Sequence, residues 1–511
     1  MKLKTNIYPL KDRWSYLWLL LGGLLTLFSN GRLAIPLAIW LGNIFIIRFM
    51  RTQKAWRGFI LVSLTMFVTV SLAAYGWMFW VPLGQYLMMM AVNALTICIL
   101  PFVIDRWLTQ RVRGFSSTLI FPLAATALEF LSISGNPMGT VGASPYTQYG
   151  NLALVQIISL TGMWGLNFLM CWLASIVNWA WENRFEWKKI GRGVAVYSGI
   201  MLLVVVYGSA RLAFAPSASE TVRMHGITMV DMREEIPNLL DARRQDWQAF
   251  RQMSAGFQER YLEATIEQAE AGAEVVHWPE LALWVPEEDE AGLLQRSREI
   301  AQQYDLYLVL PYGVIYPDDR KTKNKLVMLD SGGQIVLEHK KYGGAMIEGN
   351  EPGDGILHSV ETPFGKVTAV ICADTNFPAA IRQVGHLDAD ILFSPSLEVS
   401  ALDPYHAHMA AFRAIENGVT VVRQADNGLS VVIDPYGRII ASVDHFQSGE
   451  RLLVAQVPAK AGVFTLYPII GDLFAWLTVA ALAAIMVVAL FQGLREKRSL
   501  AAAQKQVPAV S

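Results

Sequence analysis

The sequence predicts an α-helical membrane bundle of about eight transmembrane helices joined to an α/β domain. Two observations carry this. The 511-residue chain is 53% hydrophobic, far above what one water-soluble enzyme needs. Its net charge of −1 also averages two unlike regions. Residues 221–462 hold 21 Lys/Arg against 35 Asp/Glu, a balance of −14, and the remainder is +13. An acidic, strand-rich middle is thus flanked by basic, apolar ends. The length suits two or three domains.

A helix needs about 20 apolar residues to cross roughly 30 Å of hydrocarbon. Eight stretches qualify, near 14–29, 32–50, 58–80, 85–104, 115–134, 155–181, 194–214 and 468–492. Lys2, Lys4, Lys11 and Arg13 precede the first, as in a signal peptide. Six more spans follow and no small-residue cleavage site is evident, so it reads as a span. Alternate connections are basic: Arg48, Arg51, Lys54 and Arg57, then Arg106, Arg111 and Arg113, then Arg184, Lys188, Lys189 and Arg192. The C-terminus adds Arg495, Lys497, Arg498 and Lys505, giving 19 basic residues on that side with the N-terminus, against only Arg32 and Arg211 opposite. The excess predicts both termini in the cytoplasm and residues 221–462 outside. The expected domains are therefore 1–214 with seven helices, 221–462 outside, one helix at 468–492, and a tail at 493–511.

In the exterior region, "VRMHGITMVD", "EVVHW", "LYLVLPYGVI", "KLVMLD", "QIVLEHK", "KVTAVIC", "ADILFSP", "VTVVRQ" and "LSVVID" read as strands. Residues 246–273 and "HAHMAAFRAIENG" (406–418) read as helices, the second stopped by Gly418. "SGG" (331–333) and "PYG" (435–437) read as hairpin turns. Strands this apolar need cover on both faces or a second sheet. Cys98 and Cys171 lie inside expected spans, so Cys372 has no disulfide partner in the exterior domain.

Three reactive residues stand at strand ends: Glu280 in "VVHWPE", Lys341 closing "QIVLEHKK" and Cys372 closing "VTAVIC". Taken singly, a buried cysteine is usually an inert hydrophobe. A Glu after Trp-Pro and one of two adjacent lysines are usually solvated. Taken together, they supply a base, an oxyanion partner and a nucleophile.

In this order, with "WPE", "GxxxxxxKK" and "GKVTAVICADTNFP", the chain resembles the nitrilase superfamily of carbon–nitrogen hydrolases. "ADILFSPS", "FRAIENG" and "ADNGLSVVIDPYGRIIA" extend the likeness. The resemblance implies an αββα sandwich with Glu280 as general base, Lys341 stabilising the tetrahedral intermediate and Cys372 as nucleophile. Counting from Gly333, family spacing selects Lys341 over Lys340. A further family glutamate falls on Glu348 or Glu351. Joined to flanking spans, with "SPYTQYGNLALVQIISLTGMWGLNFLM" (144–170) and "ATALEFL" (125–131), the domain resembles the apolipoprotein N-acyltransferase family. That likeness places Glu129 within a span, either facing lipid or hydrogen-bonded between helices.

The family implies acyl transfer from a phospholipid, through a thioester, to the α-amino group of a diacylated lipoprotein, at the bacterial cytoplasmic membrane. Phe377 and Tyr405 are candidates for lining the lipid side, and Asp374 and His406 for supporting the site. The chain departs from the family at Ala373-Asp374, where Tyr-Glu is usual, and at "SPSLEVSALDPYH" (394–406). The shorter Asp374 is expected to alter how the substrate is oriented, and the glycine-rich 342–355 to be a lid or a plain surface loop. A membrane-tethered amidase acting on a small or lipid amide, and a silent scaffold, are the competing readings. No metal or cofactor motif occurs, the −14 charge disfavours nucleic acid, and a monomer is expected.

Overall fold

The computed structural model describes residues 8–29, 34–75, 78, 81–112, 114–217, 220–447 and 451–505. Lys2, Lys4, Arg32 and Arg113 lie outside the described residues, as do span residues 32–33, 76, 77, 79 and 80, linker residues 218–219 and tail residues 506–511. The chain divides into two compact units. One comprises 1–134, 163–203 and 472–511; the other comprises 135–162 and 204–471.

Among the described residues, six helices are long and apolar enough to cross a membrane: Ala55–Tyr75, Leu83–Leu108, Gly114–Ile133, Met163–Glu182, Trp187–Ala213 and Leu473–Arg495. The first two expected spans are helices as well, but shorter: Ser15–Leu27 has 13 residues and Pro36–Thr52 has 17. The expected span 155–181 is interrupted. Two short turns, Leu152–Val155 and Ile158–Thr161, end at Gly162 with φ +61° before Met163–Glu182 begins. A Cβ at Gly162 would lie 2.4 Å from the Tyr467 ring, so only glycine fits that break.

In the first unit, Met163–Glu182 is the most enclosed span, 83% buried against at most 44% for the others. Its polar side chains are spent on helix contacts. Asn178 donates to the Ile44 carbonyl at 2.9 Å, Trp172 to Thr118 at 3.0 Å and Asn167 to Glu129 at 2.6 Å. Arg48, Arg51 and Arg106 are buried, although the sequence places them in wet connections. Two carboxylates explain Arg51. Asp105 accepts from its Nε at 3.0 Å and Nη2 at 2.8 Å, and Glu182 from Nη1 at 3.0 Å. Breaking a buried pair leaves an uncompensated charge. Arg51→Ala is expected to cost about 3–5 kcal/mol, read as a lowered unfolding midpoint in detergent; an unchanged midpoint contradicts this arrangement.

The second unit is a sandwich. One sheet runs, in spatial order, Leu452–Pro458, Thr221–Ile227, Val275–His277, Tyr307–Ile315, Lys323–Leu329 and Ile335–Lys340, with Trp284–Pro286 beside Tyr307–Ile315. The other runs Ile439–Asp444, Leu429–Ile433, Thr420–Arg423, Ile391–Phe393, Gly365–Ala369 and Ser359–Thr362. Period-2 geometry explains the unbroken apolar runs. Val275, Val309, Leu326 and Met328 point inward against Val367, Ile391, Phe393, Val422 and Val432. Their neighbours Val276, Leu308, Leu310 and Val327 point outward, against Phe250, Tyr261 and Leu262 of Trp247–Glu270 and Leu293 and Ile300 of Glu290–Tyr304. On the far side Val370, Leu392, Val421 and Val431 meet Ile381 and Val384 of Pro378–His386 and Ala407, Ala410 and Ala414 of Tyr405–Asn417. The layers are α, β, β, α.

Several elements escape the sequence reading. Helix Met232–Gln245, which contains Pro237, starts under the cap of Asp231, the last residue read as strand. Ile439–Asp444 is largely exposed and Leu452–Pro458 alternates buried with open positions, so neither forms an apolar run. Strand pairing holds both: Leu452–Pro458 runs antiparallel to Thr221–Ile227 along all seven residues.

Candidate active site

Glu280 follows the strand Val275–His277 and is 2% exposed. Trp278 fixes the turn, donating from its backbone N–H to the Val309 carbonyl at 3.1 Å and from its indole to Thr265 at 3.1 Å. Glu280 Oε1 accepts from Asn324 at 2.7 Å and from the Lys341 ammonium at 2.7 Å; Oε2 accepts from the Leu397 backbone at 2.9 Å. Lys341 directly follows Ile335–Lys340 and also meets both oxygens of Glu348, at 2.7 and 2.6 Å. Glu351 instead pairs with the more open Lys340 at 2.7 Å. Of the two candidate glutamates, Glu348 is the one on Lys341. Burial alone would favour a neutral Lys341, but Glu280, Cys372 and Glu348 outweigh it and hold its pKa well above the ordinary lysine value.

Cys372 opens the turn Cys372–Asn376 with φ +46°, a left-handed conformation that costs a non-glycine residue about 1–2 kcal/mol. Surrounding bonds hold it there. Its N–H donates to the Pro395 carbonyl at 2.8 Å, and its carbonyl accepts from the Thr375 hydroxyl at 2.7 Å. Such strain aims a side chain where the regular backbone would not. Burial pushes the thiol well above its ordinary value, Glu280 and Glu398 add to this, and Lys341 and Arg423 oppose it. At rest Cys372 is therefore a thiol, and attack through its sulfur would need a base.

Glu398 escapes the sequence reading. It is 4% exposed, accepts from His406 Nδ1 at 2.9 and 3.0 Å, and is ion-paired with Arg423. One donor atom from each of Cys372, Glu398 and His406 lies within 4.8 Å of the others. Its signal is the one that marks Glu280: a carboxylate a few residues after a short apolar strand, here in "ILFSPSLE".

Two family models match the chain. Residues 22–176 match the apolipoprotein N-acyltransferase N-terminal domain and residues 247–463 match the carbon-nitrogen hydrolases. Apolipoprotein N-acyltransferase of Geobacter metallireducens is 25% identical over 478 residues, covering 86% of this chain and 87% of that protein. The chain is thus similar to apolipoprotein N-acyltransferases over most of its length. The Rickettsia prowazekii member is 23% identical over 361 residues, 64% of this chain and 67% of its own length. Deaminated glutathione amidase of Rattus norvegicus is 30% identical over 205 residues, 35% of this chain and 62% of its own. Among solved structures, an amidase from Nesterenkonia sp. is 19% identical with a TM-score of 0.36, covering 48% of this chain and 93% of that one.

In this chain, the departure at Ala373-Asp374 has a structural account. Asp374 is 2% exposed and fully engaged. Oδ1 accepts from the Tyr342 and Gly343 N–H groups at 3.0 and 2.5 Å; Oδ2 accepts from Ile371 N–H and His339 Nε2, both at 2.8 Å. It clamps the residues after Lys341 to the turn that carries Cys372, where the sequence suggests substrate orientation. Tyr405 is likewise occupied. Its hydroxyl accepts from Gly142 N–H at 3.0 Å and its ring meets Tyr146 edge-on at 5.9 Å. Phe377 remains half-buried against the exposed Tyr342, ring centroids 6.1 Å apart. Glu129, in the other unit, accepts from Asn167.

Two outcomes follow. Asp374→Ala strands three backbone N–H groups at a buried site, at about 1–3 kcal/mol each; denaturant unfolding should register the loss. In Glu280→Gln the carboxylate that disfavours the thiolate is gone, so the pH midpoint of Cys372 alkylation by iodoacetamide should fall while acyl transfer drops about 10²–10⁴-fold. A midpoint that rises contradicts the assigned electrostatics.

Proposed function

We propose that this chain transfers a fatty acyl chain from a phospholipid, through a thioester on Cys372, to the α-amino group of the diacylglyceryl-cysteine of a lipoprotein. What carries the reading is a buried carboxylate, ammonium and thiol in a carbon-nitrogen hydrolase domain, within a chain whose other half is apolar helices. Likeness to apolipoprotein N-acyltransferases supports the membrane N-acyltransferase activity and the lipid substrates.

Glu280 takes the Cys372 proton as sulfur attacks the ester carbonyl of the donor. The oxyanion forms beside the Lys341 ammonium, which needs no reorganisation because two carboxylates already hold it. Glu280 returns the proton to the leaving lysophospholipid oxygen. The acceptor amine then attacks the thioester, and Cys372 leaves. Water must be kept out between the two halves, and the Tyr342–Phe377 pair suits that task. Glu348 keeps Lys341 extended, and Asp374 keeps the two loops together.

We place the chain in the bacterial cytoplasmic membrane, both termini inside and residues 221–462 outside, on the distribution of basic residues. The domain limits 1–214, 221–462, 468–492 and 493–511 belong to the same reading. Two lipid-anchored substrates would then meet Cys372 at the membrane surface.

The test is a two-stage incubation of purified protein. Labelled phospholipid should leave an acyl group on Cys372, seen by mass spectrometry and absent in Cys372→Ala. A diacylated lipopeptide should then discharge it into a triacylated product. Discharge to water alone would indicate the amidase reading instead, and no acyl-Cys372 would remove both.

A further inference from the structure

Resting on that reading, we propose that His406, oriented by Glu398, is a second catalytic base that deprotonates the acceptor's ammonium group before it attacks acyl-Cys372.

The chemistry calls for two proton acceptors and the reading above supplies one. An α-amino group has a pKa of about 7.7–8.0, so at neutral pH it arrives mainly as ammonium. It must lose one proton to gain a lone pair and a second as the amide forms. Glu280 can receive only one of these, and its oxygens already accept from Lys341, Asn324 and the Leu397 backbone.

The second acceptor is built beside the sulfur. Glu398 is buried, and although burial raises it, His406 and Arg423 hold its pKa down at about 2, so it is a carboxylate that can only accept. His406 Nδ1 therefore carries the hydrogen in the 2.9 Å bond to Glu398, so the proposed proton acceptor is Nε2. Nε2 is buried and has no hydrogen-bond partner among the described residues. An imidazole oriented through one nitrogen by a carboxylate, with its other nitrogen buried and unpartnered among the described residues, in a cluster that includes the Cys372 sulfur, has the geometry of a general base. The same three residues could ligate a cation, but the Arg423 guanidinium on Glu398 and the Lys341 ammonium near Cys372 oppose one.

The charged and titratable groups around His406 come from every packed element. They are Glu398 in the preceding loop, Asp403 just before the helix, Cys372 on its turn, Arg423 on the strand Thr420–Arg423 and Arg233 of the helix Met232–Gln245, which donates to the Glu398 carbonyl at 2.8 Å. The step balances. One ammonium proton passes to Nε2, giving an imidazolium beside Glu398. The freed lone pair forms the C–N bond as C–S breaks. The second nitrogen proton passes through Glu280 to the Cys372 sulfur. The imidazolium then releases its proton to solvent.

The test uses the full-length protein in detergent, pre-acylated with phospholipid and then given a diacylated lipopeptide in single turnover. His406→Asn, which retains a donor toward Glu398, should leave acylation within a few-fold while slowing discharge to the lipopeptide about 10²–10⁴-fold at pH 7. That deficit should shrink as pH rises and the lipopeptide loses its own proton. Hydroxylamine, neutral at pH 7, should discharge wild type and variant alike. Glu398→Gln should show a smaller deficit of the same pH dependence. Equal losses in acylation and discharge, a deficit independent of pH, or an equal deficit with hydroxylamine would each overturn the proposal. Absence of acyl-Cys372 in the wild type would instead overturn the acyl-transfer reading itself.

Discussion

The Lys341 ammonium, buried between the Glu280 and Glu348 carboxylates, is the constraint around which the site is arranged. A lone ammonium at 1% exposure would cost several kcal/mol. Two anions offset that cost only if both are delivered to it by rigid backbone. The delivery is visible. Glu280 comes from the end of one strand, Lys341 from the end of another, and Asn324 between them binds both, through its amide to Glu280 and its carbonyl to Lys341 N–H at 2.9 Å. Glu348 comes from the loop after Lys341, and Asp374 ties that loop to the cysteine turn. Removing any one support leaves a buried charge or N–H group without its partner.

How much of this could be read from the sequence divides along physical lines. The sandwich was legible because both sheets are covered on both faces, so their strands are continuous apolar runs. Glu280, Lys341 and Cys372 were legible because a polar residue ending such a run is out of place unless it is used. Glu398 obeys the same rule, yet "SPSLEVS" lies where the chain leaves its family's pattern, so no familiar motif drew attention to it. Side chains whose work is to hold other backbone are the hardest to read. Asp374 and Tyr405 look like substrate contacts in one dimension, and only the fold shows that their oxygens are taken. The buried Arg51 is a similar case: basic residues near helix ends count as solvated until Asp105 and Glu182, 54 and 131 residues away, are brought to them.

The two clusters beside Cys372 differ in kind. Glu280–Lys341 is a paired charge whose strong mutual attraction fixes position and holds a cation ready for a developing oxyanion. Glu398–Arg423–His406 ends instead in a nitrogen with no partner among the described residues, the feature of a group waiting for one. In the proposed reaction, a single cysteine that first expels an alcohol and then passes its acyl group to an amine needs different proton traffic in each half. Separate bases allow each to be tuned without disturbing the other.

The raised thiol pKa gives a further consequence of burial beside carboxylates. Oxidation of cysteine proceeds through the thiolate, and Cys372 has no disulfide partner among the free cysteines of the chain. In the extracytoplasmic placement proposed, a low-pKa thiol would be exposed to oxidants in every idle interval. Glu280 and Glu398 suppress the thiolate at rest, and Lys341 and Arg423 temper the suppression. The negative charge then appears on sulfur only when Glu280 takes the proton with an ester carbonyl in place. A thiolate formed from a high-pKa thiol is also the stronger nucleophile, which suits attack on an unactivated ester. In the proposed mechanism, the same carboxylate that disfavours the anion as a standing species is the base that produces it on demand, so protection and reactivity arise from one placement of charge.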